Sequence, residues 1–168
     1  LQEYSISDDY GKPVTFTKET YNKFKLSKQK PKFKGLLTTG SINNKKVYAI
    51  KPLTFMNNSG ICIRELMEYF KIDAEDVIVF HDDLDIDFGK VKAKFGGSDA
   101  GHNGIASIDK FIGKEYSRVR IGIGKPKNNI AVNDHVLKDF DEDEKTELES
   151  IKENITDNLS ILIEKKLD

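Results

Sequence analysis

The sequence is nearly free of cysteine. Its single thiol, Cys62, excludes an intramolecular disulfide and every zinc or iron–sulfur framework built from several cysteines, and it fits a reducing compartment. Long apolar runs are missing as well. Stretches such as Val77 to Phe80 are broken at once by charge, far short of the ~18 residues that a membrane helix requires. The opening Leu1-Gln2-Glu3-Tyr4 has neither a basic n-region nor an apolar h-region, so it does not read as a signal peptide. It also lacks an initiator methionine, and the expectation is that residues upstream have been lost. No internal repeat or low-complexity segment is present.

What is present is the profile of one soluble globular domain: 168 residues, 38% hydrophobic and 33% charged. A chain of this length buries roughly 70% of its unfolded surface in one core, so it needs no disulfide or metal for stability. The 27 basic and 28 acidic residues nearly cancel, but they are unevenly spread. Residues 22 to 34 hold six lysines and no acid; residues 90 to 126 hold eight bases against three acids; residues 134 to 168 hold twelve acids against five bases. A polyanion would be drawn to the first two regions and repelled by the third. The plainer reading, lysine runs as solvated loops, is favoured on charge alone.

Residues 1 to 32 read as polar and irregular, with a turn at Gly11-Lys12-Pro13. Gly35 to Ile42 and Lys46 to Lys51 read as a β-hairpin closed through Asn43-Asn44. Ile63, Leu66, Met67 and Phe70 follow i, i+3, i+4, i+7 spacing, which predicts an amphipathic helix over 59–70. Asp76 to Phe80 is a short β-branched run, the mark of a strand covered on both faces. It ends in His81-Asp82-Asp83, and open α/β sheets bind ligands beyond the carboxyl ends of such strands. Lys90 to Phe95 and Ser117 to Gly124 alternate as strands, the latter with Arg118 and Arg120 opposite Val119, Ile121 and Ile123. A helix is predicted over 103–112 through Ile105, Ile108 and Ile112. A final helix is predicted from Asp141, with Glu144 closing a capping box and Leu148, Ile151, Ile155, Leu159 and Leu162 forming its packing stripe. Interleaved strands and helices make this an α/β fold in a single domain over residues 1–168.

Three polar clusters interrupt these periodic segments. The first, Lys51-Pro52-Leu53-Thr54-Phe55-Met56-Asn57-Asn58-Ser59-Gly60, brings uncharged amides to a helix N-terminus, suited to a carbonyl, a peptide group or a water. Taken alone, Asn57, Asn58 and Ser59 read more plainly as capping residues. The second, His81-Asp82-Asp83-Leu84-Asp85-Ile86-Asp87-Phe88-Gly89, resembles the start of an EF-hand loop. Its glycine falls one place late and Lys94 stands where the loop needs a glutamate, which rejects that calcium site. A magnesium site stays open, as does an aspartate that orients an imidazole. The third, Gly96-Gly97-Ser98-Asp99-Ala100-Gly101-His102-Asn103-Gly104, has glycines dense enough to let backbone N–H groups approach an oxyanion. It matches neither the Walker nor the Rossmann spacing, and glycine-rich turns are more often simple loops. His81 and His102 fall in these clusters, whereas His135 lies apart and reads as structural or exposed. No Gly-x-Ser-x-Gly elbow is present, and Cys62 has no basic neighbour to activate it. What remains is metal-free hydrolysis, with an imidazole activating water and asparagines holding a carbonyl.

In this order and spacing, the segments KPLTFMNNSG, HDDLDIDFG, GGSDAGHNG and SRVRIGIGKP resemble the bacterial peptidyl-tRNA hydrolase family over roughly residues 32 to 162. The resemblance implies a monomeric, cytoplasmic α/β enzyme with a twisted mixed β-sheet flanked by helices and no metal or other cofactor. It would cleave the ester between a peptide and tRNA, recycling tRNA from aborted translation. Its partners would be the acceptor stem and the nascent peptide, with no membrane. Carried over, Asn57 and Phe55 would bind the peptide, Asp82 would polarise the catalytic histidine, and Asn103 would contact the substrate at the scissile ester. His102 would line the channel and join the catalytic group. Lys94 and Arg120 would hold acceptor-stem phosphates. The family also opens with a strand, a Gly-x-x-Asn-Pro-Gly turn and a Thr-Arg-His-Asn motif supplying the base. This sequence contains neither motif, so it is expected to lack the family's N-terminal segment. Two rivals are a non-catalytic RNA-binding module on the same fold, as in splicing factors of plant organelles, and a magnesium-dependent phosphatase built on HDDLD.

Overall fold

The computed structural model describes residues 18–126 and 130–164; the expected turn at Gly11-Lys12-Pro13 lies outside them. Helix α1 (Lys18–Lys23) and strand β1 (Lys30–Lys32) come first, so residues 18 to 32 are more regular than their composition suggests. Strand β1 is three residues of Lys-Pro-Lys, all exposed, at the edge of its sheet. Lysine and proline are what a sheet edge uses to refuse further pairing. Strands β2 (Gly35–Ile42) and β3 (Lys45–Pro52) form the expected hairpin, in antiparallel register from Gly35 opposite Pro52 to Ile42 opposite Lys45. Its two-residue turn places Asn43 and Asn44 at φ 49° and 61°, the left-handed region that asparagine tolerates best after glycine.

A one-turn 3-10 segment (Met56–Asn58) leads into helix α2 (Ser59–Phe70). Lys71, at φ 58°, ends that helix, and its N–H donates to the Met67 carbonyl. Strand β4 (Ile78–Asp83) then pairs in parallel with β6 (Ser117–Gly122), which pairs antiparallel with β5 (Val91–Phe95). Helix α3 (Asn103–Ile112) crosses between β5 and β6 and packs on α2. The fold is therefore α/β with mixed pairing and flanking helices, as expected. Among the described residues its strands form two three-stranded sheets, ordered β1-β2-β3 and β4-β6-β5.

Helix α4 (Val132–Leu137) was not foreshadowed by any periodicity, and α5 (Glu142–Glu164) closes the chain. The capping box of α5 forms as its sequence requires: Glu144 N–H donates to Asp141 Oδ1 at 2.8 Å, and Asp141 N–H donates to Glu144 Oε2 at 3.0 Å. Ile151 and Leu159 of α5 are buried, and Leu159 joins Phe24 and Ile42 in a cluster flanked by Leu26, Val47, Phe80 and Leu162. A second contact, between α2 and α3, buries Cys62, Leu66, Ile105 and Ile108. Each such side chain contributes about 1.5–3 kcal/mol when fully buried. Gly60 allows the two helices to approach: a Cβ there would meet the Ser107 backbone, and its own N–H donates to Ser107 Oγ at 3.0 Å. That contact sets the Asn57 turn beside the start of α3. No described helix is long and apolar enough to cross a membrane.

Candidate active site

The site forms where β4 ends and α3 begins. Asp82, at the end of β4, accepts a hydrogen bond at 3.0 Å from His102 Nε2. The other ring nitrogen of His102 accepts from the Gly104 N–H at 3.1 Å and the Ile105 N–H at 3.2 Å, capping α3. Because Nδ1 takes two backbone donors, it carries the lone pair and the proton sits on Nε2. His102 is thus clamped between a carboxylate and a helix terminus, with both ring nitrogens engaged. Burial pushes the Asp82 carboxyl upward, but the His102 hydrogen bond and charge outweigh burial and hold it below the ordinary carboxylate range. Asp82 is therefore ionised at neutral pH, and its second oxygen has no side-chain partner among the described residues.

His81 stacks edge-on against His102, with ring centroids 5.1 Å apart. Its Nδ1–H donates to the Asp82 carbonyl at 2.7 Å, while Nε2 is buried with no partner. Burial drives its imidazole down to about 4, so His81 is neutral at neutral pH. It braces the backbone of Asp82 and keeps an uncharged ring beside His102.

Asn103 follows His102 directly and is exposed at the first position of α3. The Asn57 turn lies against the same helix end, since Met56 Sδ would be 2.6 Å from a Cβ at Gly104. The capping explanation of this turn fails in part: Asn58 makes no side-chain capping bond, and Ser59 Oγ donates backward to the Met56 carbonyl. Asn57 and Asn58 stay exposed, and Phe55, at 64% exposure, presents its ring to solvent beside them. Asn57, Phe55, Asp82, His102 and Asn103 are thus gathered around one helix terminus.

Lys94 and Arg120 stand on neighbouring strands, β5 and β6. Arg120 Nε donates to the buried Asp83 Oδ2 at 2.7 Å, and Asp83 Oδ1 accepts the Asp85 N–H at 2.9 Å. Burial would raise the Asp83 carboxyl, but the Arg120 hydrogen bond holds it low. The Lys94 ammonium is lowered, first by burial and then by repulsion from Arg118 and Arg120. Asp85 pairs with Lys125 and Asp87 with Lys90. The HDDLDIDFG carboxylates are thereby turned to separate partners, and no described group of three such side chains could hold a metal ion. The magnesium-phosphatase reading finds no such group among the described residues.

Arg118 was misjudged from sequence, whereas His135 fits the structural reading given to it. Arg118 reads as the polar face of an alternating strand, yet it is buried at 2% exposure. His135 is half-buried on α4 and donates through Nε2 to the Gly124 carbonyl at 3.0 Å, a structural tie. The pairing of Asp82 with His102 spans twenty residues of chain, and only the His-Asn pair inside a glycine-rich loop hinted at it.

Known proteins resemble the chain closely. The family model described as peptidyl-tRNA hydrolase matches residues 14–168. The peptidyl-tRNA hydrolase of Pelagibacter ubique is 80% identical over 146 residues, which span 87% of this chain and 78% of that protein. The peptidyl-tRNA hydrolase of Rickettsia typhi is 45% identical over 148 residues, covering 87% of this chain and 80% of its own. Among solved structures, the peptidyl-tRNA hydrolase of Acinetobacter baumannii superposes with a TM-score of 0.79 at 31% identity, covering 87% of this chain and 75% of that one. The relatives carry hydrolase names, which favours the enzyme over the RNA-binding rival. The chain belongs to the peptidyl-tRNA hydrolase family.

Proposed function

We propose that the protein hydrolyses peptidyl-tRNA at the ester joining the peptide's carboxyl group to the ribose. The observation that carries this reading is the ionised Asp82, held by His102 at the start of α3, with Asn103 and the Asn57 turn beside it. Asn57 and Phe55 hold the peptide, and Asn103 contacts the ester. The α3 N–H groups of Gly104 and Ile105 are already taken by His102, so side-chain amides, rather than the helix terminus, are the donors for the developing oxyanion.

Water attacks the ester carbonyl, the carbon–oxygen bond to ribose breaks, and a proton passes to the leaving ribose oxygen. The Asp82 oxygen that His102 does not use is the place for an imidazole that takes the water's proton and then delivers it to the ribose oxygen. The resemblance gives this place to the histidine of its Thr-Arg-His-Asn motif. His102 acts from the other oxygen, fixing the carboxylate and lining the channel. Lys94 and Arg120 hold acceptor-stem phosphates, which orient the RNA without reading its sequence. The enzyme acts as a monomer in the cytoplasm, where its substrate is made.

The full-length protein incubated with a peptidyl-tRNA should release free tRNA and peptide, with turnover unaffected by a chelator. Absence of release would refute the assignment, and loss of activity on chelation would refute the metal-free mechanism.

A further inference from the structure

We propose that Arg118 is a positioning residue that locks the glycine-rich loop between the Lys94 phosphate contact and the His102–Asp82 pair, so that holding the RNA and aligning the hydrolytic group become one event. The proposal rests on the reading of the site given above.

Arg118 lies on β6 at 2% exposure, and its guanidinium has no carboxylate within ion-pair distance among the described residues. A buried charge normally requires a partner of opposite sign. Here the partners are two carbonyls of one loop. Nε donates to Gly96 O at 2.9 Å, Nη2 donates to the same oxygen, and Nη1 donates to Ser98 O at 2.8 Å. In register, the residue directly across the strand pair is Lys94, and like charges placed opposite one another destabilise a sheet. This arrangement costs stability, and it places two cations under the same loop.

The loop transmits the constraint. From Ser98 onward nearly every turn is closed by a hydrogen bond: Ala100 N–H donates to Ser98 Oγ, Gly101 N–H to Asp99 Oδ1 at 2.7 Å, and His102 N–H to Asp99 O at 2.9 Å. His102 then reaches Asp82. Gly97, at φ 101°, exposes its backbone over the two cations, and a Cβ there would strike both Lys94 Nζ and Arg118 Nη2. A phosphate oxygen beside Gly97 would offset the repulsion between Lys94 and Arg118 while the guanidinium holds the loop from below. A lysine at 118 would keep the charge but lose the planar fork that spans two carbonyls.

The test is Arg118→Lys in the full-length protein, read in two ways. Without RNA, amide exchange of Gly104 and Ile105 should speed up about tenfold, with the His102 ring resonances shifted, while Val119 and Ile121 amides keep their protection. With peptidyl-tRNA, kcat should fall about tenfold, a loss larger than the fall in folded fraction. Should Arg118→Lys fail to fold, Gly97→Ala reaches the same loop from the solvent side and should give the same two changes. Unaltered Gly104 and Ile105 exchange, or a kcat loss matching only the unfolded fraction, would overturn the proposal. If the unsubstituted protein does not hydrolyse peptidyl-tRNA, the proposed function fails while the exchange and ring resonances still decide the role of Arg118.

Discussion

Replacing His102 by alanine and by asparagine separates the two duties of this ring. Alanine removes both the cap on Gly104 and Ile105 and the donor to Asp82, whereas asparagine, a strong N-cap residue, restores the cap alone. Loss of a cap costs about 1 kcal/mol, and for a chain of this size each kcal/mol lowers Tm by about 2–4 °C. A hydrogen bond to a charged acceptor is worth about 1.5–3 kcal/mol, and half-exposure of Asp82 puts this one at the lower end. The expected order of Tm is therefore wild type, then His102→Asn, then His102→Ala, with about 2–4 °C between the variants. The two variants should share a second change. The His102 hydrogen bond and charge act against burial as the largest causes that lower Asp82, so without His102 the carboxyl rises. A depressed carboxyl stabilises the fold above its unfolded pKa, and that stability is lost as pH falls through the folded value. The wild-type loss thus lies below about pH 4 and should shrink or vanish in both variants. Thermal denaturation across pH 3 to 8 reads both effects. Equal Tm for the two variants would refute the capping role, and an undiminished acid limb would refute the hold on Asp82.

His81 contributes in a different window. Its folded imidazole lies near 4 against an ordinary 6.5, so the unfolded chain binds the extra proton and stability falls as pH drops from 6.5 to 4, by roughly 3 kcal/mol. His81→Phe should flatten urea-unfolding stability across that interval, and an unchanged slope would show the ring is not buried neutral. Lys94→Ala and Arg120→Ala should each weaken binding across all tRNAs and reduce the salt slope by about one. Selective loss for particular tRNAs, or an unaltered slope, would remove them from the phosphate contacts.

Those elements whose local chemistry and burial agree were legible in the sequence. The Asn43-Asn44 hairpin, the α2 and α3 periodicities and the Asp141–Glu144 box each carry their own geometry within a few residues. Strand β1 was hidden because Lys-Pro-Lys has no apolar face, its pairing with β2 being supplied by the backbone. Helix α4 has six residues and none buried, too short to show a stripe. At the site, the polar residues stood out as clusters, but their pairing depended on tertiary approach. Asp82 meets His102 because Gly60 and Gly104 let α2, the Asn57 turn and α3 close on one another. Arg118 was misleading because alternation distinguishes faces, and both faces of β6 are covered, as its burial pattern shows.

The role proposed for Asp82 lies in the transition state, with little contribution to RNA affinity. Asp82→Ala in the full-length protein, assayed for peptidyl-tRNA hydrolysis alongside tRNA binding, tests this most directly. Turnover should fall by about 100-fold or more, the scale of general acid–base assistance, while affinity for tRNA stays within about twofold. Equal losses in turnover and affinity, or turnover close to that of the unsubstituted protein, would contradict the assignment of Asp82 to the hydrolytic step.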